Sequence, residues 1–440
     1  MTAPYKTKDF TASSAPGHVI IIGGGIGGLC LAQGLKRAGV SCAVYERERS
    51  ITDRLQGYRV HISPGGSTAL HECLPPHLFE AFERTCGVTA GGARMLTEQM
   101  KVLMSFGQEL RSDEDDVAKH RSVSRITLRQ VLLAELDNVH FGKAFTRYEE
   151  RGGRLVAHFE DGTVAEGDML VAADGSGSRV RRQFLPQAER VDTGVVGIAG
   201  KVFLDEAGDR LHPYLLEGIN LVAARGLGLF AAVQKLSGES VGGIGRNDPA
   251  AQGALFDNER SYVTWGLSAR VERLGLAEPT EALDSATLRD AAARAMAGWA
   301  PELRLLPNLA DPDTISLLRI RTSTPVAPWP SGRVTLLGDA IHAMTPYRGI
   351  GANVALRDAM RLARALAAAR RGERELIAAV HDYEAGMLDY GFRAVRNSLT
   401  AMHQTLDQGP LGLAASRLMF RLIDRLPPLK RRMAASMGRE

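Results

Sequence analysis

The sequence predicts an α/β fold: a Rossmann-like nucleotide-binding domain, a second domain built on an antiparallel sheet, and C-terminal helices. Three observations carry that prediction. Residues 18–46 read as strand, glycine turn, helix and strand. Residues 190–325 change texture to alternating, glycine-punctuated strands, and residues 333–366 return to strand, glycine turn and helix.

The first stretch organises the rest. Val19 to Ile22 form a continuous apolar run, as a parallel strand buried on both faces requires. Gly23, Gly25 and Gly28 then fill a G-x-G-x-x-G pattern, with Ile26 and Gly27 inside it. The first glycine permits a tight turn, the second lets backbone approach a pyrophosphate, and the third lets helix pack on strand. The helix expected over 27–38 presents free N–H groups and a positive dipole end to that anion. Val40 to Tyr45 is the next strand and delivers Glu46, a carboxylate placed to accept the hydroxyls of an adenosine ribose and to repel a 2′-phosphate. The site is therefore expected to hold FAD or NAD rather than NADP. The glycines, the absence of a clear cleavage site and the polar leader over 1–17 argue against a secretory signal.

At 440 residues, 45% hydrophobic and 24% charged, the chain reads as a globular protein with enough core for two domains. A net charge of +4, without a basic stripe interleaved with aromatics, argues against a nucleic-acid partner. Outside 19–35 no apolar run approaches the length of a membrane helix. Cys30, Cys42, Cys73 and Cys86 show no metal-ligand or redox spacing, so no metal site is expected and a reduced, cytoplasmic setting is.

Further along, a short strand is expected at 58–63, a turn at Ser63-Pro64-Gly65-Gly66, a helix from Ser67 to Leu74, another over 76–84, and a hairpin from 93–97 and 101–106. Ser124 is an N-cap for a helix with Ile126, Leu128, Val131, Leu132 and Leu136 at helical spacing; spacing alone sets Arg129 opposite that stripe, towards solvent. Several strands fill 139–173 and run into Asp174. Arg179, Arg181 and Arg182 then crowd a helix start that ordinarily favours acids, which suggests an anionic partner or solvent exposure. Strand-like runs follow at 194–204, 219–235, 240–246 and 261–269, with a helix over 286–298. Val334 to Leu337 is a strand ending in Gly338-Asp339, where parallel sheets place ligands. His342 follows and reads as structural. Gly349 and Gly351 open a long helix, 373–398 is another, and 411–433 is amphipathic. Its apolar side is read as Leu418, Met419, Leu422, Ile423 and Leu426, against Arg417, Arg421 and Arg425, with a break at Pro427-Pro428. Docking on the body is expected for it, with weak membrane-surface or partner binding as the alternative.

Three separated stretches together resemble the class A flavoprotein monooxygenases, the group of p-hydroxybenzoate hydroxylase and of hydroxylases acting on tetracycline and other aromatic polyketides. They are GGGIGG at 23–28 with Glu46; D-G-x-x-S-x-V-R, matched by Asp174, Gly175, Ser178, Val180 and Arg181; and G-D-A-x-H-x-x-x-P, matched by Gly338, Asp339, Ala340, His342 and Pro346, followed by G-x-G-x-N at Gly349, Gly351 and Asn353. The resemblance implies non-covalent FAD on Gly23 to Gly28, with Glu46 at the ribose and Arg47 beside it. It turns Arg129 towards FAD, ties Asp174 to FAD and NAD(P)H, sets Asp339 at the ribityl chain, and brings Gly349, Gly351, Ala352 and Asn353 to the flavin ring. Ile350 departs from the group, which has Gln or a similar residue there. The chain also ends before the thioredoxin-like domain of some phenol hydroxylases.

Only one complete dinucleotide fingerprint is present, so NADPH or NADH is expected to bind transiently. The resemblance implies that NAD(P)H reduces FAD, that O₂ forms a flavin C4a-hydroperoxide, and that its terminal oxygen hydroxylates or epoxidises an aromatic or polyketide-like small molecule. Arg54, Arg59, His61, His212, Tyr214, Glu217 and Asn220 are the polar candidates for the substrate side. Domain limits are expected at 1–60, 110–185 and 325–400 for FAD, 61–109 and 186–324 for substrate, and 401–440 for a helical tail. The rival readings are an FAD oxidase or dehydrogenase without oxygen insertion, and a non-catalytic flavin-binding partner protein. A flavin halogenase is disfavoured by the missing W-x-W-x-I-P stretch.

Overall fold

A computed structural model of the chain describes residues 17–50, 59–87, 92–107, 116–207, 210–236, 260–277 and 280–437. The expected strand at 240–246 and the candidate Arg54 lie outside the described residues.

His18–Ile22 lies at the centre of a five-stranded parallel sheet. The spatial order is Val334–Leu336, Met169–Ala172, His18–Ile22, Ser41–Tyr45, Val139–His140. Val19, Ile20 and Ile21 are fully buried because helices cover the sheet: Ile26–Arg37 packs against the long helix Gly351–Arg370, which also touches Pro64–Cys73. The apolar run was thus a two-faced burial signal. Two strands of the first domain therefore come from near residue 170 and near residue 335, so its core closes only when distant segments meet.

The second sheet has seven strands in the order Ser316–Ser323, Arg190–Phe203, Tyr262–Arg270, Leu227–Gln234, Ile219–Ala224, Ala93–Leu96, Val102–Phe106. Its pairs are antiparallel except Ile219–Ala224 with Ala93–Leu96. Trp265, Leu267 and Ala269 face a second core that the helices Ser285–Ala295 and Pro301–Leu309 cover. The alternation of Tyr262–Arg270 sends Thr264, Gly266 and Ser268 to the opposite face.

Several boundaries differ from the sequence reading. The helix expected from Ser67 begins at Pro64, because Ser63 caps it: its Oγ accepts from Gly66 N at 3.1 Å. The run 219–235 is a hairpin, split by Arg225-Gly226 with Gly226 at φ +67. Pro301–Leu309 and Ser316–Ser323 were not anticipated, and the helix expected to end at 398 runs from Leu376 to Leu406.

The tail forms two helices, Pro410–Asp424 and Pro427–Met437. It docks on the strand Val102–Phe106, but of the side predicted only Ile423 takes part. Phe420, Ile423 and Met433 join Ala93, Met104 and Phe106 in a small cluster. Arg417 on this inner side pairs with Glu98, and Asp424 Oδ1 accepts from Ser105 N at 3.1 Å. Leu418, Met419, Leu422 and Leu426 remain 47–58% exposed. The helix carries two apolar stripes, which the sequence reading merged into one.

Among the described residues no helix is long and apolar enough to cross a membrane, and no group of three or more His, Cys, Asp or Glu side chains is disposed to hold a metal.

Candidate functional site

A single cleft of about 2300 Å³ runs between the glycine loop and the exposed face of the antiparallel sheet. At its first end Gly23 adopts φ +110, and a Cβ there would sit 2.3 Å from the Ala173 carbonyl oxygen. A Cβ on Gly28 would meet Gly23 O at 2.1 Å, and one on Gly27 would press on Leu337 Cδ1 at 2.7 Å. Gly25 differs. Its backbone is extended (φ −81, ψ −178), and a Cβ there meets nothing within 4 Å. Ile26 and Gly27 line the cleft beside it, where the helix presents its first N–H groups.

Glu46 is buried and braces this loop. Its Oε2 accepts from Gly24 N at 2.6 Å and its Oε1 from Glu48 N at 3.0 Å. Two of the roughly four acceptor directions of a carboxylate are so occupied. Arg129 Nε donates to Gly24 O at 3.0 Å, and Nη2 lies 3.0 Å from Glu48 Oε2. The solvent-facing position read from spacing is therefore replaced by a tie to the loop. Arg47 stands exposed on the cleft wall.

Asp174 caps the helix Arg179–Phe184: its Oδ2 accepts from Arg179 N at 2.8 Å, while Oδ1 is buried with no hydrogen-bond partner among the described residues. Burial raises its pKa against the hydrogen bonds that lower it. Arg181 answers neither expectation for the arginine cluster. It turns inward and donates to Ala340 O at 2.8 Å, tying this loop to the next.

That next loop begins at Gly338, whose φ of +59 and ψ of −143 suit glycine alone. Gly338 N donates to Asp358 Oδ2 at 2.7 Å. The same oxygen lies 2.7 Å from His342 Nε2, and Asp358 Oδ1 accepts from Tyr390 OH at 2.5 Å. Asp358 and His342 are fully buried. Burial alone would lower the His342 pKa, but the charge and hydrogen bond of Asp358, helped by Asp339, raise it. His342 is an anchor. Asp339, three residues past the strand end in the same turn, opens on the cleft; the surrounding protein raises its carboxyl, with His342 and Arg125 opposing.

Gly349, Gly351 and Ala352 also line the cleft, at the start of Gly351–Arg370. Ile350 is buried beneath them. Asn353 is buried and off the cleft. Its Oδ1 accepts from Ser63 N at 2.8 Å and its Nδ2 donates to His61 O at 2.9 Å, so its side chain clamps the strand Arg59–Ile62 to the following helix.

Arg59 and His61 line the cleft from that strand. Burial pushes the Arg59 guanidinium down to about 10, and its Nε is buried without a partner among the described residues. Burial, with the charges of Arg59 and His120, pushes His61 down to about 3. The ring stacks on His120 at 5.1 Å, Nε2 to Nδ1 3.1 Å, and burial lowers the His120 pKa as well. His212, Tyr214, Glu217 and Asn220 lie off the cleft. His212 Nδ1 accepts from Tyr214 N, Asn220 Nδ2 donates to Tyr214 O, and Glu217 pairs with Arg94, whose guanidinium covers the Tyr214 ring. They hold one turn together.

The opposite wall was missed by sequence reasoning. Gly197, Ala199, Thr264, Gly266 and Ser268 line it, Ala199 facing Gly266 across the ladder and Gly197 facing Ser268. Period-two alternation within Tyr262–Arg270 was the available signal. Tyr347 closes this side by donating to Ser268 Oγ at 2.8 Å, and burial pushes its hydroxyl up to about 12.

Residues 21–85 match the model of a NAD(P)-binding Rossmann-like domain, and residues 249–398 that of an FAD binding domain. The chain is 32% identical over 383 residues to a FAD-dependent urate hydroxylase of Klebsiella pneumoniae, covering 84% of this chain and 85% of that one. It is 34% identical over 395 residues to the dual O-methyltransferase/FAD-dependent monooxygenase elcB of Phaeosphaeria nodorum, covering 81% of this chain. It spans only 41% of that relative's length. The crystal structure of Klebsiella pneumoniae HpxO with FAD and uric acid superposes with a TM-score of 0.75 at 27% identity, covering 96% of this chain and 95% of that one. With the glycine loop, the Asp174 and Asp339 turns and a cleft shared by two sheets, these likenesses agree: the chain belongs to the FAD-dependent monooxygenases.

Proposed function

We propose that this chain uses NAD(P)H and O₂ to hydroxylate or epoxidise an aromatic or polyketide-like small molecule. The observation that carries the reading is the cleft: one continuous space is lined by Gly23–Gly27, by Asp339 with Gly349, Gly351 and Ala352, and by the small-residue face of the antiparallel sheet. A nucleotide cofactor and a flat substrate can meet there without leaving the protein.

The residues fit FAD. Space opens at Gly25 where a pyrophosphate is to lie, and Asp174 Oδ1 is a buried acceptor awaiting a donor. The first helical N–H groups are to bind the pyrophosphate, Glu46 the adenosine ribose through its remaining lone pairs, and Arg129 to hold the loop that presents both. Asp339 is to take the ribityl chain. Gly349, Gly351 and Ala352 are to lie along the ring, with the dipole of the helix Gly351–Arg370 favouring negative charge there. When bound, FAD supplies electron transfer from nicotinamide and oxygen activation. The protein's part is orientation and exclusion of water. Arg59, a cation without a carboxylate partner among the described residues, is to favour an ionised phenol; His61 and His120 offer a neutral donor and acceptor to a hydroxyl. For the domain limits, Ile62 to Phe82 pack in the first core while Leu96 packs in the second, so the part of 61–109 that goes with 186–324 on the substrate side is its hairpin, Ala93–Leu96 and Val102–Phe106; the cytoplasm is the setting that four unpaired cysteines suit.

The test is direct. The visible spectrum of the purified protein is recorded, and NADH and NADPH oxidation is followed in air against phenols and polyketide aglycones. A yellow protein whose oxidation rises with one compound, giving a product heavier by one oxygen atom, supports the proposal. Equal slow oxidation with every compound and no oxygenated product points to an oxidase instead.

A further inference from the structure

The cleft leaves one large feature of the molecule unused: the outer face of the two C-terminal helices. Leu411, Leu418 and Leu422 are 86%, 58% and 51% exposed, Leu426 and Leu429 are 47% and 48%, and Met419 is 47%. Leu411, Ala415, Leu418 and Leu422 follow spacings of four, three and four, so they form one seam on one side of Pro410–Asp424. The opposite side is occupied, with Leu413, Phe420 and Ile423 turned to the body and Arg417 and Asp424 fixed by Glu98 and by Ser105 with Lys430. The seam is therefore not a core face awaiting its own domain's packing. A helix with one docked apolar stripe has no structural need of a second.

The charge around the seam selects its partner. Arg421 and Arg425 are exposed beside it, and Arg431 and Arg432 are exposed on the following helix. None of the four has a partner among the described residues. The one acidic side chain between 410 and 437, Asp424, is taken up by Lys430 and Ser105. A second copy of the chain would bring the same cations against these. Aliphatic side chains in a row, edged by arginine and without aromatics on the exposed side, suit shallow insertion between lipid headgroups.

We propose that the outer face of 410–434 seats the enzyme on an anionic phospholipid surface. The seat would bear on the cleft. The tail covers the strand Val102–Phe106, from which Ser105 and Phe106 line the cleft, so an apolar substrate dissolved in the bilayer would lie next to the cleft wall.

The experiment uses the full FAD-loaded chain and co-sedimentation with vesicles of phosphatidylcholine alone, or with about 30% phosphatidylglycerol, at low and high salt. Binding to the anionic vesicles only, weakened by salt, is expected. Arg421→Gln with Arg425→Gln should weaken it about thirtyfold, each charge near the surface adding about a factor of five. Leu418→Ser with Leu422→Ser should abolish it, with the flavin spectrum unchanged in both variants as the sign of an intact body. Absence of binding to anionic vesicles overturns the proposal, as does binding that both variants retain. A dimer that the leucine variant dissolves, or retention of an acidic protein, in a chain that ignores vesicles also overturns it.

Discussion

Gly25→Ala separates the fold from the cofactor. At Gly25 the backbone is extended and a Cβ meets nothing within 4 Å, so neither strain nor a clash follows in the protein itself. Loss of chain freedom in the unfolded state stabilises by about 0.4–1 kcal/mol, and the poorer N-cap costs about as much. The unfolding free energy of the FAD-free variant should therefore match the parent's to within about 0.5 kcal/mol. FAD is another matter. A methyl carbon keeps a non-bonded neighbour at about 3.5–4.0 Å, and an N–H···O bond needs about 2.7–3.2 Å. A phosphate oxygen resting on this loop is pushed out of reach of at least one amide donor. A hydrogen bond to a charged group contributes about 1.5–3 kcal/mol, so the FAD dissociation constant should rise about ten- to 150-fold. Titration of the FAD-free protein, read by flavin fluorescence, measures it. An affinity within about threefold of the parent would mean that no pyrophosphate approaches Gly25, and the site would have to be redrawn. Gly28→Ala is the contrasting control: its Cβ meets the Gly23 carbonyl at 2.1 Å, backbone against backbone, so folding itself should fail.

Three further outcomes follow from the buried network behind the cleft and from the loop tie. Asp358→Ala removes the acceptor of Gly338 N, His342 Nε2 and Tyr390 OH, and should cost about 3–5 kcal/mol in urea unfolding; a loss under about 1 kcal/mol would show the network idle. His342 has a raised pKa when folded, so its protonated form stabilises below its unfolded value of about 6.5, and that contribution fades as pH rises through the folded value. The urea midpoints of the parent and His342→Asn should accordingly converge from about pH 6.5 upward; divergence would reverse the sign. Arg129→Lys keeps the charge but loses the Nε bond to Gly24 O and the Nη2 contact with Glu48, and should lower the FAD retained on purification at a cost of about 1–2 kcal/mol; full retention would make Arg129 a bystander.

What was legible in the sequence is what local spacing encodes. The glycine loop, Glu46 and the Asp339 turn announce themselves because the backbone there tolerates few residue types. Arg129 is the instructive failure of spacing alone. The face opposite an apolar stripe is normally solvent, but a short helix beside a ligand loop can turn that face inward, and only the family resemblance pointed that way. His212, Tyr214 and Asn220 look like site residues because caps and sites use the same polar types, and no local pattern distinguishes the two. The substrate wall escaped for the opposite reason: Gly197, Ala199 and Gly266 act by lacking side chains. In the tail, two stripes lie within one helix, and hydropathy cannot say which one the body takes.

Asn353 joins Ser63 N across 290 positions of chain and His61 O across 292. At about 5–20 residues per second, a ribosome needs roughly 15–60 s to span that gap. For nearly all of that interval the strand His18–Ile22 has been made, but neither its neighbour's neighbour Val334–Leu336 nor the helix Gly351–Arg370 that covers it exists. Until then Met169–Ala172 is an open sheet edge and the apolar face of the Val-Ile-Ile-Ile strand lacks its helix, an invitation to pair with other chains. Production of this protein should then be limited by the fate of its nascent first half, and should respond to chaperone supply and translation speed more than to any gain in the finished molecule's stability.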